Sequence, residues 1–279
     1  MKSPLRISSQ KVLQMPSAPL SDHVASDLLS LDLYEEILGK AIGLGYYFPT
    51  VSELKGGVDL KSRFLLMRHD IDTSPRNALQ MARLEHRLGV RSSYFVLLHS
   101  PFYNPAADLH WDALREIIDL GFEVGLHYDT QFFAKRNIDP LTGVLADAIA
   151  LEKILGSPIT SVSQHRPASS VFVKELNHYY VDAYNSDLIT KVRYISDSGF
   201  KWRGQSLMDL LGVEERIHAL IHPTSWTYGD LDMAETYHAV KDQLASEMGN
   251  EIEALIDSTN RYLRERTQLD EARKAQYRE

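Results

Sequence analysis

Acidic and histidine side chains that could bind a cation or transfer a proton stand at the ends of several apolar segments. Five such groups occur, namely Arg68–Asp72 (RHDID), Leu126–Asp129 (LHYD), Gln164–Pro167 (QHRP), Ser196–Ser198 (SDS) and Ile221–Pro223 (IHP). If each apolar segment is a strand of a parallel sheet, the five groups meet at the carboxyl edge of that sheet, where such folds bind their ligands. The spacing therefore indicates one shared site.

Asp70 and Asp72 are the first candidates for chemistry in this set. Residues two apart on a strand face the same side, and two close carboxylates repel each other unless a cation or a proton lies between them. We expect a metal ion on one carboxylate and a base role for the other. The alternative is a turn in which these residues cap the next helix.

Three further residues are candidates, each with a structural alternative. His127 supplies an imidazole, which zinc-like ions favour, but a lone histidine at a strand end is more often structural. Arg166, held by Pro167, would keep a neighbouring carboxylate ionised, or it forms only a surface ion pair. His222 ends an apolar strand, where a carboxylate such as Asp197 would let it carry a proton; otherwise it is a hydrogen-bonded core histidine.

The elements that must position these residues alternate between strand-like and helical segments. Seven strands are predicted, over Phe64–His69, Ser92–Leu98, Phe122–His127, Thr160–His165, Tyr180–Tyr184, Val192–Ser196 and Ile217–His222. Strands joined through helices require a mainly parallel sheet. We therefore predict an α/β fold, a distorted and incomplete (β/α)7 barrel with an N-terminal extension and C-terminal helices.

The predicted organisation has three parts. Residues 1–30 contain prolines and serines without periodicity and are expected to form a loosely ordered extension, followed by the barrel over 31–230. Residues 231–279 lack proline and carry a helical apolar stripe, which indicates one or two C-terminal helices. The stripe either packs on the barrel or forms a helix–helix contact between two copies, a homo-oligomer.

Composition excludes several classes of function. The 279 residues include 30 Lys and Arg against 38 Asp and Glu, which gives a formal net charge of −8. An acidic chain is a poor match for nucleic acid or for an anionic membrane, and no segment has the length and apolarity of a membrane span. There is no cysteine, so a metal would be held by histidine or oxygen ligands. With no signal peptide recognised, we expect a cytoplasmic protein.

The order of the motifs RHDID, FEVGLHYD, HRP, YISDSGFKW and LIHP resembles the polysaccharide deacetylase superfamily, the NodB-like carbohydrate esterases, over about residues 63–226. The resemblance is strongest to the branch whose first motif reads His-Asp-x-Asp and which accompanies surface-polysaccharide biosynthesis. It implies a (β/α)7 barrel, one divalent metal ion, expected to be zinc, and hydrolysis of an N-acyl group, expected to be acetyl, from an amino sugar. The implied partner is a small-molecule or glycan substrate.

The resemblance also implies roles for individual residues. Asp70 matches the general base, Arg166 the arginine that orients it, and His222 the general acid. Asp72 and His127 match metal ligands, whereas Asp197 and Trp202 fall in the motif that lines the acyl pocket. Tyr128 and Trp226 lie near the same rim and are expected to bind the sugar ring.

One position departs from the family pattern. The second ligand histidine should stand at position 131, where this chain has Gln131. Asp129, His165 or Gln131 could supply the third ligand, and we favour His165 because it ends a neighbouring strand. The departure also keeps two other functions open: a catalytically degenerate barrel that binds a glycan or a protein, and a deacylase that acts on a non-sugar amide.

Overall fold

The computed structural model describes residues 29–59, 61–167, 172–229 and 231–276. The N-terminal extension expected over residues 1–30 therefore lies almost entirely outside the described part of the chain. Within the described ranges, no helix combines the length and the apolar character that crossing a membrane requires.

The centre of the fold is one sheet of seven strands, and every pair of neighbouring strands is parallel. The strands are β1 Phe64–Ile71, β2 Ser93–Leu97, β3 Glu123–Tyr128, β4 Ser161–Gln164, β5 Val181–Asp182, β6 Arg193–Ser196 and β7 Arg216–Ile221. Their order in the sheet is β5-β4-β3-β2-β1-β7-β6, so β5 and β6 form two open edges. The sheet is thus the incomplete (β/α)7 barrel predicted from the alternation of segments.

In the described ranges, eight α-helices accompany the sheet. They are α1 Leu31–Gly43, α2 Pro75–Leu88, α3 Asp108–Asp119, α4 Thr130–Ala134, α5 Pro140–Leu155, α6 Ser186–Thr190, α7 Leu207–Leu210 and α8 Met233–Gln276. Helix α2 is capped at both ends: Ser74 Oγ accepts a hydrogen bond from the backbone N–H of Asn77, and Gly89 ends the helix with a φ of 70°. The C-terminal region forms one helix, α8, where the sequence left one or two open.

The side chains of β1 alternate between the inside of the curved sheet and the helices outside it. Phe64 and Leu66 belong to an apolar cluster that fills the inside near the amino ends of the strands. Arg68 and Asp70 continue the same face towards the carboxyl ends. The apolar filling is tight: a Cβ at Gly125 in β3 would lie only 2.6 Å from the ring of Phe95.

The outward face of β1 is fixed by a buried polar cluster around Glu85 of α2. The Glu85 carboxylate interacts with His69 Nε2 (2.8 Å) and accepts hydrogen bonds from the hydroxyls of Tyr34 (2.5 Å), Ser92 (2.6 Å) and Tyr94 (2.6 Å). Burial raises the Glu85 pKa, but His69 and the hydroxyl donors outweigh it, so the pKa lies below its ordinary value. The cluster joins α1, α2, β1 and β2.

Because this cluster is buried and centred on the Glu85 carboxylate, we expect removal of that charge to lower the stability of the protein strongly. Glu85→Gln replaces one acceptor oxygen by an amide that can only donate, so buried hydroxyls lose their acceptor. We expect the free energy of unfolding, measured with urea, to fall by about 2–4 kcal/mol. The control is Glu116→Gln, which breaks an exposed pair with Arg83 at 2.6 Å and should cost at most about 1 kcal/mol. Equal losses in the two variants would contradict a structural role for the cluster.

Candidate active site

The polar residues predicted at the strand ends converge at one mouth of the sheet. His127 Nε2, at the end of β3, lies 3.5 Å from Asp70 Oδ2 and 3.4 Å from Asp72 Oδ1. His165, just after β4, places Nδ1 3.5 Å from Asp72 Oδ1, and His222, just after β7, places Nε2 4.0 Å from Asp72 Oδ2. Five residues from four separate segments thus surround one small volume.

Asp72, His127 and His165 have the geometry of a metal site. Their three ligand atoms lie 3.0 to 3.5 Å apart, and ligands about 2.0–2.1 Å from a tetrahedral ion would stand about 3.3 Å from one another. Asp72 Oδ1 is buried without a hydrogen-bond partner, although two imidazoles lie beside it. Two nitrogens and one carboxylate oxygen are a donor set that suits zinc and other divalent transition ions, so the residues present fit such an ion.

A hydrogen bond from Nδ1 of His127 orients its imidazole so that Nε2 can bind a metal ion. Nδ1 lies 3.0 Å from the backbone oxygen of Ser163 in β4, to which it donates, so Nε2 is the nitrogen that faces the site. Burial raises the Asp72 pKa, but His127 and His165 dominate and hold it well below its usual value. The Asp72 carboxylate is consequently ionised and available as a ligand.

Position 131, where the family pattern has a histidine, belongs to a short helix. Asp129 caps α4 by accepting a hydrogen bond (2.8 Å) from the backbone N–H of Gln131. This capping bond gives Asp129 a structural role. Of the three alternatives for a third ligand, the structure brings His165 to His127 and Asp72.

Asp70 is held by an arginine that the sequence analysis did not select. Arg68, two residues earlier on β1 and fully buried, donates from Nε to Oδ1 (2.9 Å) and from a terminal nitrogen to Oδ2 (2.6 Å). The guanidinium also donates to Tyr184 (3.0 Å) and lies 4.4 Å from the centre of its ring. Burial alone would raise the Asp70 pKa, but Arg68 and His127 lower it to about 2.

The resemblance gave this orienting role to Arg166. It is exposed in the turn after β4 and has a φ of 49°, a backbone conformation uncommon for a residue with a side chain. Asp70 has its bidentate partner in Arg68, and the orienting role of Arg166 stays a prediction. The spacing Arg68-x-Asp70 was the available signal, because residues two apart on a strand share a face.

His222 forms a charged pair with Asp197. Its Nδ1 lies 2.5 Å from Asp197 Oδ1, and its backbone N–H donates to Oδ2 (2.9 Å). Trp226 Nε1 also donates to Oδ2 (2.8 Å), which fixes the carboxylate. Burial lowers the His222 pKa, but Asp197 and the other carboxylates raise it to about 9. His222 therefore carries a proton at neutral pH, with Nε2 directed at the mouth.

The aromatic residues expected at the rim have internal roles instead. Trp226 is fully buried, and Tyr128 is buried with its hydroxyl donating to Asp182 (3.0 Å). Neither offers a ring face to the cleft, which corrects the expectation of a sugar platform there. Trp202 is partly buried and packs edge-on against Trp226, with ring centres 5.9 Å apart.

Two other aromatic residues line the cleft. They are Phe200 and Tyr237 of α8, whose ring centres lie 5.3 Å apart. Both line the cleft together with Asp70, Asp72 and His222. Phe200 has a φ of 64°. The Tyr237 side chain is half exposed. The sequence placed Tyr237 on the stripe of the C-terminal helix, but no local pattern shows that this helix begins at the site.

Comparison with known proteins gives similarities in structure alone. No family model and no curated protein matches the sequence. The fold is similar to peptidoglycan deacetylase PdaC from Bacillus subtilis, with 17% identity over 68% of this chain and 87% of that one and a TM-score of 0.40. A family 4 carbohydrate esterase from Bacillus anthracis has 16% identity over 77% of this chain and 86% of that one, with a TM-score of 0.40.

A third solved structure is the Streptococcus pyogenes deacetylase PplD in complex with acetate. It has 14% identity over 72% of this chain and 88% of that one, with a TM-score of 0.40. These three structures bear the names of polysaccharide deacetylases and carbohydrate esterases, the family that the sequence motifs resemble, whereas the branch with the His-Asp-x-Asp first motif stays a prediction.

Proposed function

We propose that this protein is a metal-dependent deacylase that hydrolyses the N-acyl group, expected to be acetyl, of an amino-sugar substrate. One observation carries the proposal: an ionised carboxylate, a protonated imidazole and a three-atom donor set for a divalent ion face the same small volume. Amide hydrolysis needs both a base for water and an acid for the departing nitrogen, whereas a site that only binds a ligand needs neither.

The roles of the residues follow from their charges. A divalent ion held by Asp72, His127 and His165 would polarise the acyl carbonyl and make water more acidic. Asp70 takes a proton from the attacking water; Arg68 keeps it ionised and fixes the direction of its oxygens. His222 donates its Nε2 proton to the amide nitrogen as the C–N bond breaks, so a carboxylic acid and a free amine leave.

The substrate class is inferred from the resemblance and from where the protein is expected to act. An N-acylated sugar precursor of a surface polysaccharide is the substrate we favour. The cleft wall formed by Phe200 and Tyr237 provides apolar contact beside the acid and the base, as an acyl group or a sugar face requires. Hydrolysis of a non-sugar amide would use the same base, acid and metal ligands. Assays with a panel of sugar and non-sugar amides distinguish the two substrate classes.

Metal content tests the donor set directly. After purification without chelator and dialysis, we expect His127→Ala and His165→Ala to lose bound zinc, measured by elemental analysis, because each removes one of three protein ligands. Gln131→Ala should retain the ion and serves as the matched control. Zinc loss in Gln131→Ala together with retention in His165→Ala would move the third ligand to position 131.

Substitution of the acid and the base tests catalysis. Asp70→Asn keeps the side-chain shape but cannot accept the proton, so turnover of an N-acetyl amino sugar should fall about 10²–10⁴-fold. His222→Ala should cause a comparable loss with the amide and a smaller loss with an activated acetate ester, whose leaving group needs no proton. Circular dichroism and metal content control for folding.

One result would contradict the proposed enzymatic activity. If zinc-loaded wild-type protein releases no acyl group from N-acyl amino sugars or their nucleotide conjugates, and Asp70→Asn binds those ligands as the wild type does, the chain is a binding protein. If the protein releases an acyl group only from a non-sugar amide, it is a deacylase whose substrate is not an amino sugar.

The pH profile tests the charged pair of His222 and Asp197. Because His222 must be protonated to act, kcat/KM should fall as pH rises through the His222 pKa of about 9. Asp197→Asn removes the charge that raises this pKa, so the alkaline limb should move to lower pH by about 1–2 units. An alkaline limb that stays in place in Asp197→Asn would show that another group supplies the proton.

A further inference from the structure

Most of helix α8 extends away from the barrel. Near its start, Thr236, Val240 and Glu247 are buried against the body of the protein. From Met248 to Asp270, every residue is exposed to solvent. A helix rises 1.5 Å per residue, so the part from 248 to 276 is about 43 Å long.

This projecting part carries large apolar side chains at a regular spacing. Met248, Leu255, Tyr262 and Leu269 follow one another at intervals of seven residues, and their exposed fractions are 63%, 65%, 59% and 63%. Three more apolar residues, Ile252, Ile256 and Leu263, lie beside them on the same face and are about half exposed. Side chains seven apart lie on nearly the same side of a helix, so these residues form one apolar stripe that a second helix can cover.

The exposed apolar area is too large for an isolated surface helix. Seven side chains that each expose about 100 Å² offer on the order of 700 Å² per copy, near the roughly 800 Å² per partner of a stable interface. The largest apolar patch of a typical monomer covers about 300–600 Å². Since the described part of the chain leaves this face uncovered, a partner is needed.

The charges along the helix indicate which partner fits. From Met248 to Asp257 there are three acidic residues and no basic one, whereas from Ser258 to Leu269 there are three arginines, Arg261, Arg264 and Arg266, and a single acid, Glu265. Two parallel copies would place acidic beside acidic and basic beside basic. Two antiparallel copies, crossing near residue 258, place the acidic segment of each copy beside the basic segment of the other.

We infer that the projecting part of α8 is a dimerisation element, in which two copies of this chain pair as an antiparallel coiled coil centred near residue 258. The inference rests on the exposed repeat and on the charge segments, and it does not depend on the proposed deacylase activity. The contact buries the apolar face of both copies and leaves the two barrels at opposite ends of the paired helices.

Sedimentation velocity of the full chain tests the association. We expect the wild type to be a dimer at about 10 µM and Leu255→Glu to be a monomer, because the substitution places two charges in the contact. Ala254→Glu introduces the same side chain at the neighbouring outward-facing position and should remain a dimer. An unchanged thermal midpoint of the barrel in both variants shows that the body is folded.

Two results would overturn the inference. One is a wild type that stays monomeric up to about 100 µM, where a contact of this area should be formed. The other is a Leu255→Glu variant that still dimerises, which would place the contact elsewhere on the molecule.

The orientation of the two helices is tested separately. The chain contains no cysteine, so Asn250→Cys, Asp257→Cys and Gln268→Cys each carry one spin label on the outward face. Antiparallel pairing predicts that the label–label distance, measured by pulsed electron paramagnetic resonance, is shortest at position 257 and longer at 250 and 268. Three equal distances would mean parallel helices and would overturn the charge argument.

Discussion

The site depends on the strict alternation of side chains along β1. Arg68 and Asp70 face the inside of the sheet and pair with each other there, while His69 faces the helices and meets Glu85. A shift of one residue in the pairing of β1 with its neighbours would exchange these faces and place the arginine against the outer apolar core. The two polar clusters therefore fix the register of the strand, and the register places Asp70 at the mouth.

The charges at the mouth are balanced in pairs. Asp70 is matched by Arg68, and Asp197 by His222, each through two hydrogen bonds to the carboxylate. Within the described part of the chain, Asp72 has no partner that forms two hydrogen bonds to its carboxylate. The Oδ1 atom of Asp72 is buried and has no hydrogen bond there. Because a buried carboxylate oxygen without a hydrogen bond is costly, Oδ1 of Asp72 is the atom at the mouth that a cation would stabilise most.

Much of the fold and part of the site could be predicted from sequence for one physical reason: parallel strands present their carboxyl ends at the same edge. That rule, applied to the alternation of strand-like and helical segments, was enough to bring Asp70, Asp72 and His127 together. It did not single out Arg68 as the partner of Asp70, because that pairing depends on which side chains fill the inside of the sheet. Nor could it show that Trp226 is buried beneath the cleft, since burial depends on packing with distant segments such as α1.

The pairing of Arg68 with Asp70 has a consequence for how such a protein changes over generations. A guanidinium buried in the barrel without its carboxylate would destabilise the fold, so selection for folding alone preserves Asp70 even where turnover is no longer needed. Asp72 and His222 are partly open to solvent and can be replaced at lower cost. A descendant that has lost its activity is therefore expected to keep the aspartate at position 70 and to differ first at positions 72 and 222.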